Sequence, residues 1–263
     1  HTIQEWAFSQ EPFRVVWAVR DDGVVLGLTY MKEQKVLAWH RHVTDGQFES
    51  VAAISEGGED AAYFIVNRVI NGENRRYVER LHTRQFAKVE DAWFLDCALD
   101  YSGPPTRTVS NLDHLEGKLV GVLGDGNVFP SVTVTDGEIT LDNPASKIII
   151  GLPYTAELET LDLDVGDPTI QGKRKKISAV TVKVENTRGL KVGGVYESGQ
   201  PSILTEVKER SNQMYGTPIG LLTGNERVLQ DPSWNSNGRV LVRQDNPLPC
   251  TILAVIPEVD LGA

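Results

Sequence analysis

Two histidines, His40 and His42, come nearest in this sequence to a metal-binding pattern. They stand two positions apart in an apolar run that is typical of a β-strand. Because side chains alternate along a strand, both imidazoles would lie on the same face, a geometry that can ligate a metal. The other histidines, His1, His82 and His114, stand in no ligand motif. The pattern therefore favours a solvated or stacking pair over a metal site.

Two further patterns could support chemistry. Asp96 and Asp100, four apart, would share one face of a helix as paired carboxylates, the arrangement used in acid–base catalysis, but any acidic surface offers such pairs. The run Gly124–Gly126 has two glycines beside an acid but lacks the lysine and the following helix of a phosphate-binding loop, so it predicts a hairpin turn. No serine stands in a Gly-x-Ser-x-Gly motif. We therefore expect no catalytic residue, no cofactor and no metal, and a protein that is not an enzyme.

The charge of the chain argues against tight binding to nucleic acid. There are 36 acidic and 26 basic residues, a net charge of -10, whereas proteins that neutralise phosphates usually present a basic face. One basic run is the exception, and it consists of Lys173, Arg174, Lys175 and Lys176. This run is either a solvated loop or strand end, or a phosphate or partner contact, and the sequence leaves both open.

Cysteine spacing and hydropathy predict the redox compartment of the chain and whether it spans a membrane. Cys97 and Cys250 lie 153 residues apart, which supports neither a disulfide framework nor a CxxC metal motif. Two buried free thiols are expected, as in a protein made in a reducing cytosol. No apolar run approaches the roughly 18 residues of a membrane-spanning helix, so no membrane span is expected.

Turn signals organise the first part of the chain into hairpins. An Asp-Gly turn separates Val15–Arg20 from Val24–Tyr30, and an Asn-Gly turn separates Ala62–Ile70 from Glu73–Leu81. The turn glycines lie 49 residues apart, a spacing typical of successive propeller blades. A plain meander sheet remains the alternative.

A third predicted hairpin joins Lys35–His42 to Phe48–Ile54 and would complete a four-stranded blade. A propeller needs at least about four blades, and this chain offers two at most. It also starts at His1 without an initiating Met. We therefore expect either a fragment of a longer protein or a processed product, with an unpaired sheet edge that is covered in the intact protein.

Beyond the hairpins, the pattern of strand and turn signals in the sequence changes. The Gly-Pro-Pro run in Tyr101–Thr106 predicts a break in regular structure. Strands spaced by about ten residues then predict a small sandwich or barrel, and no helix longer than about ten residues is expected. The last predicted strand pair joins Gly238–Arg243 to Cys250–Ile256. The expected fold is all-β, with propeller-like antiparallel blades in residues 1–87, a small β domain in 88–155 and a C-terminal β region in 156–263.

Aromatic residues crowd the first eighty positions. The prediction is that they mainly pack sheets together, and a sugar-binding platform is the alternative. The residues in question are Trp6, Phe8, Phe13, Trp17, Tyr30, Trp39, Phe48, Tyr63, Phe64 and Tyr77.

Several segments resemble proteins of tailed bacteriophages and prophages. They are Pro12–Met31, Val36–His42, Asp45–Val51, Arg75–Arg80, Leu112–Gly117, Gly151–Tyr154, Glu157–Glu159 and Leu253–Glu258. The resemblance is to the C-terminal part of the tail tubular protein B, or nozzle, group of short-tailed phages.

That resemblance implies a structural virion protein, located in the phage tail and made in the host cytoplasm. It implies a homo-oligomeric ring, with a hexamer as the expected number, that binds adaptor or other tail proteins and lets DNA pass through its lumen. An acidic lumen would repel DNA and let it slide. The resemblance carries no catalytic residue. The rival hypothesis is a glycan-binding or polysaccharide-degrading tail module.

Overall fold

The computed structural model describes residues 1–164, 166, 169–209, 214, 217–231 and 233–262. Within them the chain is all-β, as predicted, with nineteen strands that pair antiparallel wherever a register is defined. The described helical structure consists of three 3-10 turns, at Lys32–Gln34, Val89–Asp91 and Asp113–Leu115. In this part of the chain no helix is long and apolar enough to cross a membrane.

The chain divides into two compact units. The first comprises His1–Ala87, Leu95–Gly124 and Phe129–Tyr154, and the second comprises Lys88–Phe94, Asp125–Val128 and Thr155–Ala263. The first unit therefore joins the first predicted segment to most of the second one. The three-segment division stays a prediction.

The first sheet is a four-stranded meander in the order β1-β2-β3-β4. Its strands are β1 Ile3–Ser9, β2 Val15–Arg20, β3 Val25–Met31 and β4 Val36–His42. The turn between β2 and β3 places Gly23 at φ 76°, a left-handed conformation that glycine adopts without steric cost. This hairpin is the first one that the sequence predicts, and it is confirmed.

The second sheet has three strands in the order β5-β6-β7. They are β5 Gln47–Glu56, β6 Glu59–Ile70 and β7 Glu73–Arg80. Asn71 and Gly72 between β6 and β7 have φ values of 49° and 78°, as the tight turn of a right-twisted hairpin requires. The predicted Asn-Gly hairpin is therefore confirmed.

The predicted hairpin between Lys35–His42 and Phe48–Ile54 is wrong. β4 pairs with β3, whereas β5 pairs with β6, so the chain changes sheets between them. The Phe48 amide donates to the Gly23 carbonyl at 3.0 Å, and the Asp45 carbonyl accepts from the Arg68 side chain at 2.6 Å. These hydrogen bonds fix residues 43–48 as a connection that crosses from the first sheet to the second. The fourth strand of the first sheet is β1.

The first two sheets share one apolar core. Its buried residues are Val15, Trp17, Val19 and Val25 from the first sheet, with Val51, Ala62, Phe64 and Val66 from the second. Burying a large apolar side chain contributes roughly 1.5–3 kcal/mol, so this core holds the two sheets together. A propeller arrangement of such sheets stays a prediction.

The third sheet has the order β10-β9-β11-β8. Its strands are β8 Asp96–Val109, β9 Leu119–Gly124, β10 Asn127–Thr133 and β11 Ile139–Leu152. The predicted break at Tyr101–Thr106 is wrong, because β8 runs through it. Pro104 and Pro105 are tolerated since β8 is an edge strand whose register with β11 shifts near Ala145.

The second unit contains the remaining eight strands. They are β12 Ala156–Glu159, β13 Lys175–Thr187, β14 Lys191–Gly194, β15 Thr205–Glu206, β16 Leu222–Leu229, β17 Trp234–Asn235, β18 Val240–Gln244 and β19 Thr251–Leu261. One sheet has the order β12-β18-β14-β15, and in the other β13 pairs with β16, β17 and β19.

Alternation along β13 places Val180, Val182 and Val184 in the core of this unit, as the sequence predicts. The predicted pairing of the last two strands is wrong, because β18 pairs with β12 and β14 whereas β19 pairs with β13.

Candidate interaction surface

One face of the first sheet is apolar and open to solvent. Trp6 lies opposite Ala18 and Phe8 opposite Val16 across β1 and β2. Leu28 lies opposite Trp39 and Tyr30 opposite Leu37 across β3 and β4. Because paired residues project to the same side, these side chains form one continuous surface. We name it the outer face, and it consists of Trp6, Phe8, Val16, Leu28, Tyr30, Leu37 and Trp39.

The sequence of β2 explains why both faces of the sheet are apolar. Val15–Val19 is an uninterrupted run, Val-Val-Trp-Ala-Val, instead of the apolar–polar alternation of a strand that faces water on one side. Trp17 points into the core, whereas Val16 and Ala18 belong to the opposite side. Such a run is typical of a strand with both faces covered.

The outer face is exposed in the isolated chain. Trp6 and Leu37 each expose 67% of their surface, Trp39 61%, Phe8 42% and Tyr30 40%. A fully exposed aromatic side chain offers about 200 Å², so the four aromatic residues alone expose on the order of 400 Å². The largest apolar patch on a typical soluble monomer covers about 300–600 Å² and is often functional.

Charged residues lie beside the outer face rather than across its centre. Arg41 is exposed and lies opposite Leu26 in the β3–β4 register. Arg14 binds Glu33 at 3.0 Å in a surface ion pair. An apolar centre with a polar rim is the usual anatomy of a protein–protein interface.

The inner face of the same sheet carries the two histidines. His40 and His42 share a hydrogen bond between ring nitrogens 2.8 Å apart, and both rings contact Trp17. Gly27, opposite His40, has no side chain, and a Cβ there would lie 2.0 Å from the imidazole. The predicted stacking pair is therefore present, and it packs in the sheet's inner layer.

Burial controls the protonation of this pair. Desolvation, followed by the charges of His40 and Arg84, lowers the pKa of His42 to about 4. Desolvation, followed by the charge of Arg84, also lowers the pKa of His40. Both rings are thus neutral at pH 7 and fit an apolar layer.

A second polar cluster is buried around Arg68, a residue with no exposed side-chain surface. Its guanidinium donates two bonds of 2.7 Å to the carboxylate of Glu79, one of 2.9 Å to Thr44 and one of 2.6 Å to the Asp45 carbonyl. A buried bidentate pair of this kind fixes geometry and is costly to break from one side. It anchors the crossing between the first two sheets.

The residues next to Arg68 are poorly suited to catalysis. Desolvation raises the pKa of the Cys97 thiol to about 12, so almost no reactive thiolate forms at neutral pH. Desolvation also raises the pKa of Asp96, whose carboxylate is close to Thr44 and Arg68. Both cysteines of the chain are free.

Asp96 and Asp100 do not share a helix face, because both residues lie on β8. Asp100 instead binds Lys147 on β11, with 2.9 Å between the carboxylate oxygen and the ammonium nitrogen. The two carboxylates therefore have separate structural partners.

The basic run of the second unit does not form one exposed patch. Lys173 and Arg174 are exposed, whereas Lys175 is buried at 1% exposure and donates to the Ser236 carbonyl at 2.7 Å. Lys175 is thus unavailable to a ligand. A phosphate or partner contact stays a prediction for Lys173, Arg174 and Lys176.

Two other candidate motifs have local explanations. Gly124–Gly126 leads from β9 into β10 as a tight turn, with Asp125 at φ 47°, and the predicted hairpin turn is confirmed. His1, Asp21 and Asp22 form the single group of three clustered metal-ligand types in the described part of the chain. Hydrogen bonds and ion pairs within the cluster and to Thr2 and Arg20 account for it.

Comparison with known proteins gives this chain no family: no protein-family model matches it, and no curated protein is similar to it in sequence. The resemblance to phage tail proteins therefore stays a prediction.

Sequence reasoning found the aromatic residues but assigned most of them to packing. Trp17, Phe48 and Phe64 do pack together in the core. Trp6 and Trp39 instead lie on the outer face, which corrects that expectation. Alternation along each strand could have separated the packed aromatic residues from the exposed ones, because alternate residues point to opposite faces of the sheet. That argument also requires the strand pairing to be known.

Proposed function

We propose that this chain is part of a structural protein of a bacteriophage tail, a nozzle or hub ring in which neighbouring copies pack through the outer face. The observation that carries the proposal is the exposure of the apolar outer face, since a sheet apolar on both sides is completed by a second layer. The apolar run of β2 supports the same conclusion from sequence.

A structural role agrees with the chemistry of the polar clusters. The Cys97 thiol has a pKa of about 12, and the His40–His42 pair is neutral and packed against Trp17. Neither group is suited to nucleophilic or acid–base catalysis at neutral pH. We therefore propose an assembly protein without enzymatic activity, which binds other tail proteins within the virion.

The charge supports the proposed role in DNA passage. A chain with a net charge of -10 repels phosphate, so a lumen lined by it lets DNA slide instead of binding it.

The test is the oligomeric state of the full chain, measured by sedimentation velocity and negative-stain microscopy. We expect rings or smaller oligomers of the wild type, and dissociation to monomers in Leu37→Glu, because a buried unpaired charge costs several kcal/mol. Val78→Glu is the matched control, since Val78 is 74% exposed and lies on β7, away from the outer face.

Two results would contradict the proposal. One is a wild type that stays monomeric at all concentrations, and the other is a Leu37→Glu variant that associates as well as Val78→Glu does. Sixfold rings in the images would support the hexamer that the resemblance implies.

A glycan-binding tail module is the second candidate. Exposed indole rings such as those of Trp6 and Trp39 can stack on sugar rings, which favours this alternative. Retention of the chain on immobilised polysaccharide, lost in Trp39→Ala and kept in Val78→Glu, would favour it over assembly.

A further inference from the structure

The first sheet has an open edge at β4. This strand is the last in the order β1-β2-β3-β4, and in the described part of the chain it pairs with β3 alone. The register runs without a bulge from Val36 opposite Met31 to His42 opposite Val25. An edge strand presents unpaired backbone N–H and C=O groups on its free side, and these groups can bind a further strand. We name the free side of Val36–His42 the β4 edge.

The sequence of β4 does not protect this edge against strand pairing. Natural edge strands avoid pairing through prolines, bulges, short length or charged side chains, especially lysine. β4 has seven residues, without proline, lysine or a carboxylate. Arg41 is its one charged side chain at pH 7, because burial lowers the pKa of both His40 and His42. The β4 edge can therefore accept another strand.

The other edge strands of the described chain differ from β4 in this respect. β8 contains Pro104 and Pro105, β10 contains Pro130 and β19 contains Pro257. Five of the eight residues of β7 are charged. The edge strands β12, β15 and β17 have four residues or fewer. Each of these features is a known device against strand addition.

The remaining edges are covered or charged. β1 and β5 lie beside each other, since the Glu5 carboxylate on β1 accepts from the Val51 amide on β5 at 3.0 Å. β16 carries the neighbouring charges of Glu226 and Arg227. Among the described edge strands, β4 is thus the one best suited to pair with a further strand.

The charge around the β4 edge is positive, although the chain has a net charge of -10. Lys32 and Lys35 just before β4 and Arg41 within it are all exposed. Among the described residues, no carboxylate forms an ion pair with these three side chains. The neighbouring Glu33 is engaged by Arg14 at 3.0 Å. A partner strand with carboxylates is therefore favoured, whereas a second copy of β4 would bring like charges together.

Alternation along β4 defines the side chains of the partner strand. Leu37 and Trp39 belong to the outer face, and Arg41 lies two positions further along the same side of the strand. Residues that lie opposite each other across two paired strands project to the same side of the sheet. The partner strand is therefore expected to place apolar residues opposite Leu37 and Trp39 and a carboxylate opposite Arg41.

We propose that the β4 edge binds an extended, acidic segment of a partner protein, which adds to the first sheet as a fifth strand. Backbone hydrogen bonds supply the affinity, and the side chains of Leu37, Trp39 and Arg41 select the sequence. The inference goes beyond the proposed packing of copies and does not depend on it, because strand addition uses the backbone of β4 whereas the copies pack through side chains of the outer face.

The test is a calorimetric titration of the full chain with a synthetic octapeptide with blocked ends, Thr-Glu-Thr-Tyr-Thr-Val-Thr-Glu. In an antiparallel register its tyrosine lies opposite Trp39 and its two carboxylates lie opposite Arg41 and Lys35. We expect saturable binding with a dissociation constant of about 1 mM or lower. Hydrogen exchange followed by mass spectrometry should show that the peptide protects amides of β4. The same peptide with alternate backbone amides methylated should not bind, because it cannot form the ladder.

A charge exchange tests the predicted side-chain contact. The acidic peptide should bind Arg41→Glu at least about threefold more weakly than the wild type, because cross-strand like charges are unfavourable. A peptide with lysine in place of both glutamates should show the opposite preference. Arg107→Glu is the matched control, because Arg107 is exposed on β8 and has no described partner.

Four results would overturn the proposal. They are the absence of saturable binding, equal binding of the methylated peptide, an unchanged charge preference in folded Arg41→Glu, and protection of a strand other than β4. If β4 amides in the chain alone become protected as the protein concentration rises, the occupant is a second copy, and the proposal of an acidic partner is overturned as well. Circular dichroism shows whether each variant is folded.

Discussion

The two faces of the first sheet carry the same kinds of residue in opposite surroundings. Trp17 on the inner face is 6% exposed, whereas Trp39 on the outer face is 61% exposed. The strands are shared, so neither composition nor strand propensity distinguishes the faces. The difference is that the second sheet covers one face and no described residue covers the other to the same degree. A tryptophan's role in this chain is therefore decided by the side of the strand that it occupies.

The largest expected effect comes from truncating one tryptophan on each face. Trp17→Ala should lower the free energy of unfolding by about 3–5 kcal/mol, because the indole contacts Phe64 and its N–H donates to Ser9 at 3.3 Å. Trp39→Ala should change it by less than about 0.5 kcal/mol in the monomer. Urea unfolding at low protein concentration measures both values, and similar losses in the two variants would remove the distinction between the faces.

Acid is expected to lower the free energy of unfolding by an intermediate amount, through the protonation of His42 on the inner face. The pKa of His42 falls from about 6.5 in the unfolded chain to about 4 in the folded one, so below pH 6.5 the unfolded state binds more protons. Stability should therefore fall as the pH drops from 6.5 to 4, by up to about 3 kcal/mol.

The measurement for this prediction is the unfolding free energy of wild type and His42→Gln across that pH range. Carboxylates titrate there as well, so the quantity of interest is the difference between the two curves. The loss should be smaller in His42→Gln. Parallel curves would mean that the imidazole is not held neutral by burial.

The smallest of these effects concerns the glycine beneath His40. Gly27→Ala places a methyl group where the imidazole lies, so the ring must move, at a cost of about 1–3 kcal/mol from overpacking. Gly220→Ala is the control, since nothing lies within 4 Å of a Cβ there. Thermal unfolding of the two variants should differ clearly, and equal midpoints would show that His40 is free to rotate away.

Local sequence patterns predicted the local structure well. The Asp-Gly and Asn-Gly turns predicted two hairpins because a turn with positive φ depends on the residues within it. The all-β class followed from short β-branched runs between turn signals, and the core face of β13 followed from alternation. The free cysteines agree with their spacing in the chain.

Longer-range pairings were predicted less well. The polar segment between β4 and β5 looks like another hairpin turn, yet Arg68, more than twenty residues away, binds it through Thr44 and Asp45. Pro104 and Pro105 look like a break, but an edge strand leaves one side of its backbone unpaired and accommodates them. In both cases the deciding partner is distant in sequence.

By itself, the sequence determined the Asp-Gly and Asn-Gly hairpins and the core face of β13, because φ preferences and side-chain alternation act over a few residues. Only the tertiary structure decided that Trp17 is buried and Trp39 exposed, that Arg84 stacks on Phe13, and that Lys175 is buried within its basic run. The physical reason is that burial and charge pairing depend on which distant strands meet, and no local pattern encodes that choice.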